Sequence, residues 1–193
     1  SMKKLTFSII AAASLLFTSC SEEAKEITYK LDKGTSLEWT GKYVADGHTH
    51  SGTVAVSDGE MTFKGEEFVK GSFTVDMKTI VNTDGQGEEK QYLETHLNGP
   101  DFFNTGKFSK AKVTIDEVTD KEMKATIDVV GKKIKAVMPV KMNKTETNFN
   151  AEGTFEVDFA ETSMNGFKAA PNDPADQHTD TKIAFKLSLK MKK

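Results

Sequence analysis

Phe149-Asn150-Ala151-Glu152-Gly153-Thr154-Phe155-Glu156-Val157-Asp158-Phe159 alternates without a break. Every odd position is apolar or small, and every even one is polar or charged. A period of two puts successive side chains on opposite faces of an extended chain. The stretch therefore reads as a strand with one face on a core and the other in water. The same period recurs along the chain. Leu37, Trp39, Gly41 and Tyr43 alternate with Glu38, Thr40 and Lys42. Val69, Gly71, Phe73, Val75 and Met77 alternate with Lys70, Ser72, Thr74, Asp76 and Lys78. Met123, Ala125, Ile127 and Val129 form another set, Ile134, Ala136, Met138, Val140 and Met142 the next. Ile183, Phe185, Leu187, Leu189 and Met191 form the last. One apolar face per strand points to antiparallel strands around a single interior.

Between these sets, Asp58-Gly59 reads as a hairpin turn, and Gly131-Lys132 joins the Met123 and Ile134 strands. Residues 88–98 break the pattern, with Tyr92, Leu93 and Leu97 at helical spacing. Gly99-Pro100 ends that helix, because Pro cannot continue it and Gly suits a C-terminal cap. Residues 165–180, with Pro171 and Pro174, read as a long loop. No repeat or linker divides the chain. The expected fold is all-β: a single extended antiparallel barrel of about eight strands, with one short helix. Strands of about ten residues tilted near 40° give a barrel on the order of 25 Å tall. The inward sets mix Phe and Met with Gly71, Gly153, Ala125, Ala136 and Ala151. Such a mixture leaves either a fitted core or a lumen, and the pattern does not choose between them.

The composition excludes several classes. The chain has 193 residues with 26 cations, all Lys, against 29 acids, a net charge of −3. No Arg and no excess of positive charge argue against nucleic acid as a partner. A single Cys excludes a disulfide framework and multi-cysteine metal sites. Its place is informative. Ser1 ahead of Met2 reads as a scar of a cleaved tag, Lys3 and Lys4 as a positive n-region, and residues 5–17 as an apolar run too short to span a bilayer. Phe17-Thr18-Ser19-Cys20 resembles the lipobox of bacterial lipoproteins. The resemblance implies a signal peptide over residues 1–19, lipidation of Cys20 and a tether over residues 20–26. It further implies a cell-envelope lipoprotein anchored in the outer membrane, since acyl chains contribute about 0.8 kcal/mol per buried methylene. Without the leader, 24 lysines face 29 acids, a charge of −5. A leader still attached is expected to form a helix sheltered against the protein.

A family emerges from the order of motifs. Trp39-Thr40-Gly41-Lys42 is followed by His50-Ser51-Gly52-Thr53-Val54 and by Gly71-Ser72-Phe73-Thr74-Val75-Asp76-Met77-Lys78-Thr79-Ile80. Then Tyr92-Leu93-Glu94-Thr95-His96-Leu97-Asn98-Gly99-Pro100-Asp101-Phe102-Phe103 leads into Lys107-Phe108. Over residues 27–190 the chain resembles the YceI-like family, envelope proteins with a lipocalin-like barrel. The resemblance implies a real cavity holding a long isoprenoid or similar amphiphile, with no catalysis and no cofactor. The residues expected to line it are Trp39, Tyr43, Val69, Phe73, Val75, Met77, Ile127, Val129, Met138, Val140, Phe155, Val157, Phe185 and Leu187. Phe102 and Phe103 are expected to gate one end or to seat the helix on the barrel. A homodimer is compatible with the sequence.

Other chemistry has weaker support. His48 and His50, two apart, could serve a metal-dependent enzyme if a third ligand joined them. His96, at the end of the helix beside Asp101, could act as a general base or simply complement the helix dipole. Asp173, Asp176 and Asp180 lack the spacing and glycine of a calcium loop and read as a solvated acidic stretch. The alternative to lipid binding is a solid-core scaffold, with large side chains meeting at the axis.

Overall fold

The computed structural model describes residues 23–193. The signal peptide, the Cys20 anchor and the sheltered leader helix all fall outside the described residues. Ten strand segments make one antiparallel sheet. They are β1 (Glu26–Leu31), β2 (Ser36–Lys42), β3 (Thr49–Lys64), β4 (Glu67–Asn82), β5 (Lys110–Val118), β6 (Glu122–Val129), β7 (Lys132–Pro139), β8 (Lys141–Lys144), β9 (Asn148–Asp158) and β10 (Lys182–Lys192). Neighbours run β7-β6-β5-β4-β3-β1-β10-β9-β8, while β2 also lies between β3 and β10.

Two pairs of segments each fill one place in the wall. β1 and β2 sit end to end between β3 and β10. β7 and β8 are one strand broken at Pro139 and Val140, the first part bonded to β6 and the second to β9. Eight staves result, and the break carries the chain from one edge of the sheet to the other, closing the barrel. Pro139 suits the break because it has no N–H to give a ladder. Gly153 of β9 permits it: a Cβ there would fall on the Pro139 carbonyl and on Val140.

The pairing corrects the sequence reading at Asp58-Gly59 and at Val69. Asp58-Gly59 is not a turn. β3 runs straight through it, with Ser57 as an extra residue between the pairs Val56–Val75 and Asp58–Thr74. The turn into β4 comes later, where Gly65 takes a φ of 61°. Both a turn and a bulge use short polar residues and glycine, so the local signal is shared. Second, Val69 is not inward. Thr62 pairs with Lys70 and Phe63 with Phe68, so Val69 is the unpaired residue of a bulge and stands exposed. Phe68 takes the inner position, its ring 5.8 Å from that of Phe63. Helix α1 (Gly87–Asn98) ends where expected, with Gly99 as its C-terminal cap, whose N–H donates to the His96 carbonyl. Gly99 has φ −79° and ψ 175°, the extended conformation that the following Pro100 favours.

The strands of the last two alternating sets fall where expected. β9 and β10 cover the alternating stretches around Phe155 and Leu187, and they pair from Lys182–Asp158 to Lys192–Asn148. The β6–β7 hairpin turns one residue earlier than the expected Gly131-Lys132: Val130 and Gly131, both left-handed, form the turn, and Lys132 already pairs with Val129.

Candidate functional site

The inner faces of the staves, α1 and the connection between β9 and β10 surround an open-mouthed cavity of about 1240 Å³. β2 contributes Leu37 and Trp39, β3 Val54 and Val56, and β4 Phe73, Val75, Met77 and Ile80. β5 adds Ala111, Val113 and Ile115; β6 adds Met123, Ile127 and Val129; β7 adds Met138. β9 and β10 complete the wall with Phe155, Val157, Ile183, Phe185, Leu187 and Leu189, joined by Phe159 just past the end of β9. The lining is apolar because the period-two pattern sends lysines and acids to the outer face of every stave. Trp39 is anchored by its Nε1, which donates to the Thr53 carbonyl at 3.3 Å.

Of the residues named from sequence, Val69 points to solvent. Val140 is buried at the β7–β8 break, its N–H donating to the Lys121 carbonyl, and does not reach the cavity. Tyr43 lies on the rim, where its hydroxyl donates to Gln177 Oε1 at 3.0 Å. Trp39, Phe73, Val75, Met77, Ile127, Val129, Met138, Phe155, Val157, Phe185 and Leu187 all stand on the wall.

Phe102 and Phe103 are buried and touch the cavity as well. The Phe102 ring meets His96 of α1 at 5.0 Å and Phe167 at 5.3 Å, both edge to face. Phe103 meets Phe159 at 5.9 Å. Phe167 belongs to a single 3₁₀ turn, Asn165–Phe167, in the connection between β9 and β10. The two phenylalanines thus tie α1, that connection and the end of β9 into one cap over part of the opening. Leu93 and Leu97 of α1 face the cavity from the cap.

The mouth is polar, and all four histidines of the chain lie on it. The His48 ring stacks on Tyr43 at 5.2 Å and meets His50 edge to face at 5.3 Å. Each is engaged by its own carboxylate: His48 Nδ1 with Asp46 at 2.5 Å, His50 Nδ1 with Asp84 at 3.4 Å. His96 stacks on the exposed Tyr92. His178 Nδ1 faces the Thr179 carbonyl at 2.9 Å. Among the described residues, no three His, Cys, Asp or Glu side chains converge as a metal set. Asp173 and Asp176 are exposed in the long connection, and Asp180 accepts the Lys182 N–H at 3.0 Å.

One knot under the mouth holds it in shape. Asn82 is fully buried at the end of β4. Its Nδ2 donates to the Ser51 carbonyl and to Asp84, its Oδ1 accepts the Gly85 N–H, and its own N–H donates to Glu94 of α1. Asp84 in turn accepts the Ser51 N–H at 2.7 Å. Burial pushes the Asp84 carboxyl up, but the bonds from Asn82, the Ser51 backbone and His50 outweigh it and hold the group below its ordinary value. The Asp46 carboxyl is likewise lowered, by the backbone N–H and then the side chain of His48. Sequence reading passed over this knot. Asn82, Asp84, Ser51 and Glu94 show no periodicity and meet only in the folded barrel. An isolated Asn at the end of an apolar set was the one available signal.

Comparison with known proteins gives one family and a set of solved folds. The YceI-like domain profile matches residues 29–191. Burkholderia cenocepacia BcnA superposes with a TM-score of 0.61 at 12% identity, covering 83% of this chain and 98% of its own. A Saccharophagus degradans polyisoprenoid-binding domain, implicated in plant cell wall breakdown, superposes with a TM-score of 0.55 at 13% identity, covering 85% of this chain and 97% of its own. At such identities the likeness is one of fold. No curated protein sequence matches this chain. The domain profile runs from β1 to β10, and by that match the chain belongs to the YceI-like family.

Proposed function

We propose that this protein holds one long apolar chain, an isoprenoid or comparable amphiphile, inside the barrel without altering it chemically. The observation that carries the reading is a cavity of about 1240 Å³ whose wall is apolar along the staves and polar only at the mouth. Pockets for small ligands span roughly 300–1,000 Å³, so this lumen has room for something larger. Moving apolar surface out of water drives such binding without directional contacts, and methionines at the wall adapt to a flexible guest. The name of the Saccharophagus degradans relative supports the same class of ligand. Recognition rests on the tail. The mouth mixes Lys42 and Lys168 with Glu89, Asp101 and Asp173, and the chain has no Arg to clamp a phosphate. We further propose that the protein works in the bacterial cell envelope, tethered to the outer membrane through a lipidated Cys20. The lipobox-like Phe17-Thr18-Ser19-Cys20 supports that placement.

Native mass spectrometry of the purified protein, before and after organic extraction and re-addition of polyprenols, tests the binding. The expected result is a single bound lipid that extraction removes and addition restores. Protein that stays unliganded in both cases contradicts it. For the anchor, the mass of the membrane-extracted protein should carry acyl groups that Cys20→Ser abolishes.

A further inference from the structure

The lumen has a floor. Tyr29, Met61, Phe63, Phe149 and Met191 are all buried inside the barrel, yet none lines the cavity. They fill the end opposite the mouth. The Tyr29 ring lies 6.2 Å from Phe63 and 6.1 Å from Phe149, and the latter two are 5.4 Å apart. The Tyr29 hydroxyl closes the end by donating to the Thr145 carbonyl in the β8–β9 turn.

From the top of this plug, one row of paired residues crosses five strands: Met61, Gly71, Ile115, Ala125 and Ala136. Gly71, Ala125 and Ala136 are short, so the row has a gap. Met61, with no accessible surface, fills it. Its Sδ occupies the space that a Cβ at Gly71 would need. Ile115 crowds the same point and is the row's one member on the cavity wall. On the β3–β4 side the lumen therefore stops just above Met61: Phe73, paired with Gly59, is on the wall, and the next inward pair, Met61 and Gly71, is not, while on β6 and β7 the wall runs on to Met123 and Met138.

We propose that Met61 is a chain-length stop, fixing how much of an apolar tail the lumen can bury. The proposal rests on the tail-binding reading above. An apolar tail entering at the mouth gains roughly fourfold in affinity for each methylene it buries. With roughly 30 Å³ per non-hydrogen atom, about the share of a water in the liquid, the cavity takes at most on the order of forty such atoms. Once the tail has filled the space down to the wall that Met61 backs, further atoms remain at the polar mouth and add nothing. Affinity should rise with chain length and then level off.

Competition between pairs of saturated fatty acids and of trans-prenols of increasing length, read by native mass spectrometry on the intact protein, tests this. In the wild type the preference for the longer member should vanish beyond one length. Met61→Ala removes three non-hydrogen atoms at the floor and should move that length out by about as many carbons. Met61→Val should move it less, and serves if the alanine variant does not fold. Met61→Leu, which keeps the volume, should leave it in place. A wild-type preference that never levels off overturns the stop while leaving tail binding intact. So does an unchanged plateau in folded Met61→Ala or Met61→Val. Absence of binding at every length overturns tail binding and the stop together.

Discussion

Asn82 shows how much a single buried polar residue can hold. Its side chain makes three hydrogen bonds where no water reaches, and these fix Ser51, Asp84 and Gly85 at the mouth. Asn82→Ala would strand the partners and is expected to cost about 1–3 kcal/mol in denaturant unfolding. Removing Asp84 has a different signature. Its folded pKa lies below the unfolded value near 3.8, so the carboxylate form is the one the fold favours. Its contribution is complete above that value and is lost as the pH falls through the depressed folded value. Unfolding measured against pH should therefore show a loss below about pH 4 that Asp84→Asn flattens. Between neutrality and that limb, Asp84 should contribute no slope. Trp39, the only tryptophan, is a second informative residue: it is buried, anchored, and on the lumen wall.

The strands were legible in sequence because each has one face on the interior and one in water, which imposes a period of two. The helix was legible because it breaks that period. What escaped was set by pairing. The inward assignment of Val69 fails because a bulge depends on what the partner strand offers, here Phe63 matched with Phe68. The break at Pro139 and Val140 escaped because both halves keep the same parity. Most of the wall was also legible, as the inward sets of the strands. That the wall surrounds space was not, because emptiness depends on how far side chains reach across the axis. The cap is where α1 meets the barrel, and Phe102 packs between His96 of α1 and Phe167, against Gly166. Phe102→Ala is expected to cost about 3–5 kcal/mol at most. Hydrogen exchange should quicken in α1 before it does in β9 and β10. Uniform quickening throughout would mean that the cap and barrel open as one unit.

At the scale of the whole molecule, the barrel is packed at one end and open at the other. Side chains do not meet along the whole axis, as a solid core would require: Tyr29, Phe63, Phe149 and Met191 close one end, and an apolar space lies beyond them under a polar mouth. Charge is arranged accordingly, with Lys and acids on the outer faces and mixed signs at the rim. Trp39 makes occupancy of the lumen directly readable. The central claim is that an apolar tail enters this space, so the most direct measurement is quenching of Trp39 fluorescence by a bromine-labelled fatty acid. Saturation at one equivalent, reversed by unlabelled polyprenol, is the predicted result. Quenching that never saturates, or that polyprenol does not reverse, would contradict it.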